Sequence, residues 1–142
     1  ILFCPNREPT PFSYSIRMFH SPDYNGPLMA PTILIVEDEP LVCETIELIL
    51  SDRGYEVLTA ANGAGALRLV AEQPVDLLFT DVAMPGMNGF ELAAEAKRLR
   101  PALRVLFMTG YDEKTEADDG KLIRKPLHAE DVLMEINEAL GN

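Results

Sequence analysis

The chain has 142 residues, of which 47% are hydrophobic and 25% charged, as is typical of one globular domain with its own core. Acidic residues outnumber basic ones by 23 to 12, for a formal net charge of -11, and this argues against direct binding to nucleic acid. No apolar run approaches the ~20 residues that cross a bilayer, so we predict no membrane span. Cys4 and Cys43 form neither a disulfide framework nor a metal-ligand spacing, and we expect a reducing, cytoplasmic setting.

Residues 1–28 differ in composition from the rest of the chain. They hold five of the eleven prolines and carry no net charge, because two acids balance two bases. The segment has no regular periodicity, and it lacks the apolar core and basic start of a secretory signal. We therefore divide the chain into a Pro-rich extension over 1–28 and one domain over 29–142. The extension is interpreted as a linker or a remnant of cloning, with an arm that docks its aromatic residues on a partner as the alternative.

From residue 32 onward, short apolar runs alternate with segments of helical periodicity. Apolar and β-branched runs that end in polar residues indicate buried strands. Apolar residues near helical spacing, followed by glycine or proline, indicate helices. The pattern predicts helices at about 40–53, 64–72, 89–100 and 129–140, and strands at 32–36, 55–59, 75–80, 103–108 and 121–124.

This alternation is typical of βα units, in which helices cover both faces of a parallel sheet. Five such units predict an α/β fold with a doubly wound, five-stranded parallel sheet. In sheets of this kind, ligands bind beyond the carboxyl ends of the strands. Functional side chains are therefore expected just after each strand.

Polar residues follow four of the five predicted strands: Glu37 and Asp38 the first, Asp81 the third, Thr109 the fourth and Lys125 the fifth. If the strand ends meet at one edge of the sheet, the carboxylates lie a few ångströms apart. At that separation they repel by ~4 kcal/mol per pair at an effective dielectric of about 20, so they need a cation. A small site of oxygen ligands suits Mg²⁺. With a lysine and a threonine hydroxyl opposite, the set predicts phosphoryl transfer onto a carboxylate.

Acids after a strand also cap helices, because carboxylates favour helix N-termini. We interpret Glu39 as such a solvated cap. For Glu37 and Asp38 taken alone, capping and metal binding are equal alternatives. The convergence of an aspartate, a threonine and a lysine from three further strands favours a site.

The chain carries Glu37-Asp38, Asp81, Met84-Pro85-Gly86-Met87-Asn88-Gly89, Thr109 and Lys125-Pro126. With this set of residues, the segment 31–141 resembles the receiver domain of bacterial response regulators. The resemblance implies that Asp81 accepts a phosphoryl group from a histidine kinase or phosphotransferase. It also implies that Lys125 pairs with the phosphoryl oxygens and that Thr109 moves to donate a hydrogen bond to them.

The same resemblance implies a metal cofactor and a limited chemistry. Glu37 and Asp38 would hold Mg²⁺ together with Asp81 and the backbone carbonyl of Ala83. The chain would then catalyse only its own phosphorylation and dephosphorylation rather than act as an enzyme. A phosphatase of the haloacid type needs a second acid two residues after its aspartate, and the alanine at position 83 sets that alternative aside.

The segment between the fourth and fifth strands is short for this family. Eleven residues, 110–120, remain for a crossover that usually needs a dozen or more, and they carry no apolar stripe. We therefore predict a shortened fourth helix or a loop. This shortening and the run Phe-Met-Thr-Gly-Tyr at 107–111 resemble the "FAT GUY" subgroup of receivers, with Met108 in place of the usual alanine.

The switch that reports phosphorylation is also expected to differ from that of ordinary receivers. Leu122 stands where they often carry an aromatic residue, so we hypothesise that Tyr111 takes over and that the crossover becomes ordered on phosphorylation. The switch candidates are thus Thr109, Tyr111 and Leu122. The alternative for Tyr111 is a surface aromatic residue at the start of a loop.

Few residues follow the last predicted helix, so we expect signalling through contact with a downstream protein. Kinase docking would use the first helix and the loop after Lys125, with Val42 and Leu127 as contacts and Leu41 in the core. We expect a monomer or weak homodimer in a bacterial cytoplasm. The alternatives are a phosphate sink or shuttle, and a receiver fragment of a hybrid histidine kinase that acts as an interaction module.

Overall fold

The computed structural model describes residues 30–110 and 121–141. The Pro-rich extension and most of the predicted short crossover, residues 111–120, lie outside this part of the chain. No described helix is long and apolar enough to cross a membrane. The elements are β1 (Thr32–Val36), α1 (Pro40–Asp52), β2 (Glu56–Ala60), α2 (Gly63–Glu72), β3 (Leu77–Asp81), α3 (Gly89–Leu99), β4 (Arg104–Thr109), β5 (Lys121–Arg124) and a C-terminal helix (Ala129–Ala139).

The five strands form one parallel sheet in the order β2-β1-β3-β4-β5. The chain winds towards one edge from β1 to β2, then crosses back to β3 and winds towards the other edge. This confirms the predicted doubly wound α/β fold. The order reverses between β1 and β3, which is the place where open sheets of this type bind ligands.

An apolar core lies on each face of the sheet. In β1, Ile33 and Ile35 belong to the core beneath α1 and the C-terminal helix, and Leu34 and Val36 to the core beneath α2 and α3. All four side chains are fully buried, and each contributes about 1.5–3 kcal/mol relative to an exposed position. A slip by one residue would exchange the two faces, so the cores fix the register of the strands.

The bounds of β1 and β5 are as predicted, and the other elements differ from their predicted ends by one or two residues, for local reasons. β2 begins at Glu56 because the Tyr55 N–H donates to the carbonyl of Leu50 at the end of α1 (3.2 Å). β3 extends to Asp81 because this residue still pairs with Met108 in β4.

The prediction that Leu41 is buried in the core is wrong, since its side chain is 78% exposed. Leu50 is fully buried against the sheet, and Leu41 precedes it by nine residues, or two and a half helical turns. Leu41 therefore lies on the opposite side of α1. Val42 is half-buried and packs against the core.

The start of α3 lies against the end of β3. A capping box between Asn88 and Glu91 begins the helix, and the Gly89 N–H donates to the carbonyl of Val82 (2.8 Å). A Cβ atom on Gly89 would overlap the carbonyl oxygen of Asp81 and lie 2.9 Å from the Val82 Cα. Both are backbone atoms, so only glycine lets α3 begin this close to the strand.

We expect Gly89→Ala to lower the free energy of unfolding by about 1–3 kcal/mol, the cost typical of overpacking. Gly65→Ala in α2 is the matched control, because its new Cβ would lie no closer than 3.4 Å to a neighbour and alanine favours a helix. Urea unfolding followed by circular dichroism measures both. Equal stability of the two variants would contradict the close approach of α3 to β3.

Candidate functional site

Asp81 ends β3 at the carboxyl edge of the sheet and is 4% exposed. Its Oδ1 accepts a hydrogen bond from the backbone N–H of Ala83 (3.2 Å). Its Oδ2 accepts one from the ammonium of Lys125 (3.2 Å). Contacts to both oxygens hold the carboxylate in one orientation.

Glu37 and Asp38 follow β1 at the same edge. Glu37 is 2% exposed, and its N–H donates to the carbonyl of Ala60 (3.1 Å), which continues the pairing of β1 with β2 by one residue. Asp38 is exposed. Carboxylate oxygens of Glu37, Asp38 and Asp81 lie within 4.8 Å of one another, so the structure brings the three predicted carboxylates together.

Lys125 follows β5, and its N–H donates to the carbonyl of Thr109 at the end of β4 (2.8 Å). From there its side chain reaches past the end of β4 towards β3 and β1. The ammonium lies 3.0 Å from Glu37 Oε1 and 3.2 Å from Asp81 Oδ2. One positive charge thus stands between two buried negative charges.

The protonation of this group follows from its burial and its charges. Burial raises the pKa of Glu37, and the ammonium of Lys125 and the Glu39 N–H, 3.1 Å from Oε2, offset this only in part. Burial lowers the pKa of Lys125, but the carboxylates of Glu37 and Asp81 raise it by more, so the net shift is upward. Lys125 therefore remains an ammonium at neutral pH.

The carboxylates fit a hard cation. Among the described residues, Glu37 Oε1 is a buried atom that makes no hydrogen bond, although the ammonium of Lys125 lies 3.0 Å away as an ion pair. The ammonium offsets only part of the negative charge of the three carboxylates, and a cation bound among them would offset the repulsion that is left. Asp38 and the exposed Ala83, whose carbonyl is the predicted fourth ligand, leave one side open to solvent, as suits Mg²⁺ with its retained waters.

Of the switch candidates, Thr109 ends β4 next to this group, whereas Leu122 lies further back, within β5. Thr109 is fully buried, and its hydroxyl donates to the carbonyl of Gly110 (3.3 Å). Leu122 is half-buried and packs against the core that contains Phe107, its pairing partner in β4. Tyr111 is outside the described residues.

Glu39 differs in part from its interpretation as a cap. It occupies the N-cap position of α1, before Pro40, but its side chain makes no capping hydrogen bond. Its Oε1 lies instead 3.8 Å from the ammonium of Lys125, with the side chain 66% exposed. Its position next to the acid pair was the only signal in the sequence that it could join the site.

The loop between β3 and α3 also contacts the start of α2. Met84 is buried, and the side chain of Met87 packs against Gly63, where a Cβ atom would lie 2.8 Å from the Met87 Sδ. The loop that follows Asp81 is therefore supported by two helices.

Residues 33–136 match the family model of the response regulator receiver domain. The response regulator receiver protein CpdR of Brucella abortus is 35% identical over 114 residues, which cover 76% of this chain and 95% of CpdR. The chain also matches longer transcriptional regulatory proteins, of which it spans between 26% and 50%.

Solved structures agree with this match. A CheY-like receiver domain protein from Methanospirillum hungatei has a TM-score of 0.72 and 32% identity, with 78% of this chain and 94% of that chain covered. The receiver domain of the hybrid histidine kinase CckA has a TM-score of 0.69 and 33% identity, with 77% and 98% covered. The chain therefore belongs to the response regulator receiver domain family.

Proposed function

We propose that the chain is a phosphoacceptor in a histidine–aspartate phosphorelay, phosphorylated on Asp81. The observation that carries the proposal is the ammonium of Lys125, 3.0 Å from the carboxylate of Glu37 and 3.2 Å from that of Asp81. Buried ion pairs of this kind contribute little to stability compared with apolar residues of similar size. A function that needs a carboxylate beside a fixed positive charge accounts better for their presence.

In the proposed reaction, a carboxylate oxygen of Asp81 attacks the phosphorus of a phosphohistidine. The P–O bond forms as the P–N bond breaks, and the imidazole nitrogen leaves with the electron pair. Lys125 neutralises negative charge on the phosphoryl oxygens. The Thr109 hydroxyl turns from the carbonyl of Gly110 to donate a hydrogen bond to one of them.

The proposed cofactor is Mg²⁺, held by Glu37, Asp38, Asp81 and the backbone carbonyl of Ala83. When bound, it would offset the repulsion between the carboxylates and the incoming phosphoryl oxygens. The clustering of the three carboxylates within 4.8 Å supports this assignment.

We further assign the chain to the FAT GUY subgroup on the run 107–111 and the eleven-residue crossover. In this proposal Thr109 and Tyr111 couple phosphorylation to the crossover. The packing of Leu122 beside Phe107 supports it, because an aliphatic side chain there completes the core and leaves the switching role to another residue.

The proposed partners are a histidine kinase or phosphotransferase and a downstream protein target. Leu41 and Leu48 on α1, 78% and 67% exposed, support docking of the phosphodonor on this helix. The net charge of -11 favours output through protein contacts over contact with DNA. We propose a cytoplasmic protein that acts on no substrate besides its own Asp81.

One observation favours a second candidate, a receiver from a hybrid histidine kinase that serves as an interaction module. The receiver of the hybrid kinase CckA is 33% identical to this chain.

A phosphate sink or shuttle would use the same chemistry as the first candidate. The exposed Ala83 beside Asp81 supports rapid hydrolysis by water, and the lifetime of the phosphoryl group distinguishes the sink from a stable signal.

We expect incubation with acetyl phosphate and Mg²⁺ to add the mass of one phosphoryl group to the intact chain. Asp81→Asn should remove the adduct, because the amide is not a nucleophile, whereas Asp52→Asn at the exposed end of α1 should retain it. Intact-mass spectrometry with and without Mg²⁺ measures this. An adduct that persists in Asp81→Asn would contradict the assignment, and a wild-type chain with neither adduct nor Mg²⁺ binding would favour the interaction module.

We expect Lys125→Gln to slow formation of the adduct by about 10²-fold, the usual effect of removing a group that stabilises developing negative charge. Arg68→Gln, which removes an exposed positive charge from α2, is the control and should keep the wild-type rate. The time course of adduct formation measures both. Equal rates in the two variants would show that the charge of Lys125 is not used.

We expect the affinity for Mg²⁺ to fall as the pH falls through the raised pKa of Glu37, because protonation removes a ligand charge. Burial raises that pKa, so the fall should begin at a higher pH than for an ordinary glutamate. Calorimetric titration with Mg²⁺ at a series of pH values measures it, and Glu37→Gln should bind weakly without this pH dependence. The same pH dependence in wild type and Glu37→Gln would assign it to another group.

A further inference from the structure

We propose that Glu39 is a positioning residue that shares the ammonium of Lys125 in the unphosphorylated chain and so slows phosphorylation by highly charged small donors. The inference rests on the proposed function, since it concerns the same acceptor site. Glu39 is the third carboxylate near the ammonium of Lys125, after Glu37 and Asp81. It is not one of the predicted metal ligands, and the inference is that its charge sets how fast the site accepts a phosphoryl group.

The backbone of Glu39 is fixed while its side chain is not used for capping. Its N–H donates to Glu37 Oε2 (3.1 Å), and its carbonyl accepts the first helical hydrogen bond of α1, from Cys43 (3.0 Å). A side chain at this position ordinarily accepts a hydrogen bond from the first helical turn, but that of Glu39 does not. It lies 3.8 Å from Lys125 instead.

Glu39 is the outermost carboxylate that contacts Lys125. Its side chain is 66% exposed, whereas that of Asp81 is 6% exposed and that of Glu37 is fully buried. It is also outside the three-carboxylate group that fits a cation, so a bound metal ion would leave its charge in place. A phosphodonor that approaches Lys125 from solvent therefore passes close to the negative charge of Glu39.

Two effects of Glu39 on the reaction follow. The phosphoryl oxygens must compete with the Glu39 carboxylate for the ammonium of Lys125, and the same carboxylate repels a donor in proportion to the donor's negative charge. Because exposed ion pairs are weak, the expected change in rate is modest, about two- to fivefold. It should be larger for a dianionic donor than for a less charged one.

The test compares acetyl phosphate, a dianion at neutral pH, with phosphoramidate, which carries less negative charge. In Glu39→Gln, a variant of nearly the same shape, we expect about two- to fivefold faster adduct formation with acetyl phosphate and a smaller gain with phosphoramidate. The difference should shrink at high ionic strength, because salt screens exposed charges. Glu44→Gln, which removes an exposed acid from the same helix, is the control and should match wild type with both donors.

The possible results separate this inference from the proposed function. If wild type accepts phosphoryl groups on Asp81 and Glu39→Gln is unchanged, or gains equally with both donors at every salt concentration, the inference is wrong and the proposed function stands. If Glu44→Gln gains as much as Glu39→Gln, the effect belongs to net charge and the inference is again wrong. If wild type accepts a phosphoryl group from neither donor, the inference is contradicted, and so is the proposed function if the chain does not bind Mg²⁺ either.

Discussion

The ammonium of Lys125 is the interaction on which the rest of the site depends. Glu37 and Asp81 are both almost fully buried, and two carboxylates so close together would repel strongly in a medium of low dielectric. The ammonium contacts both at about 3 Å and so permits their burial. The three residues come from β1, β3 and the end of β5, which means that the charged group also joins strands from the centre and the edge of the sheet.

The sheet brings these residues together by its register. Val36 pairs with Thr80, which places the next residues of the two strands, Glu37 and Asp81, side by side. The pairing of Thr109 with Arg124 in turn places Lys125 just beyond the end of β4. This register is set by the apolar side chains of the strand interiors. The positions of the charged residues at the strand ends are therefore set by apolar residues of the strand interiors, which lie outside the site.

Much of this arrangement could be predicted from the sequence, because it depends on local patterns. The apolar runs predicted the strands, and parallel strands bring their carboxyl ends to one edge, so Glu37, Asp81 and Lys125 could be placed together from their positions alone. Family membership agrees with that prediction. The roles of these residues, the extension over 1–28 and the part played by Tyr111 remain predictions.

Other features could not be predicted because they depend on the direction of a side chain in three dimensions. Apolar character alone does not place Leu41, whose side chain is exposed because it points away from the sheet, on the side of α1 opposite Leu50. Similarly, Glu39 has the sequence context of a cap, and its contact is with Lys125, 86 positions further along the chain. Local spacing carries no information about such a contact.

The packing of Met87 on Gly63 has a consequence for how sequences of this kind can vary. The two residues are 24 positions apart and belong to different βα units, yet a side chain at position 63 would occupy space that the methionine already fills. A larger residue at position 63 requires the Met87 side chain to rotate, position 87 to become smaller or its loop to shift. Since that loop begins directly after Asp81, at Val82, substitutions at the start of α2 are constrained by the loop that follows Asp81, and positions 63 and 87 should covary among relatives that share this packing.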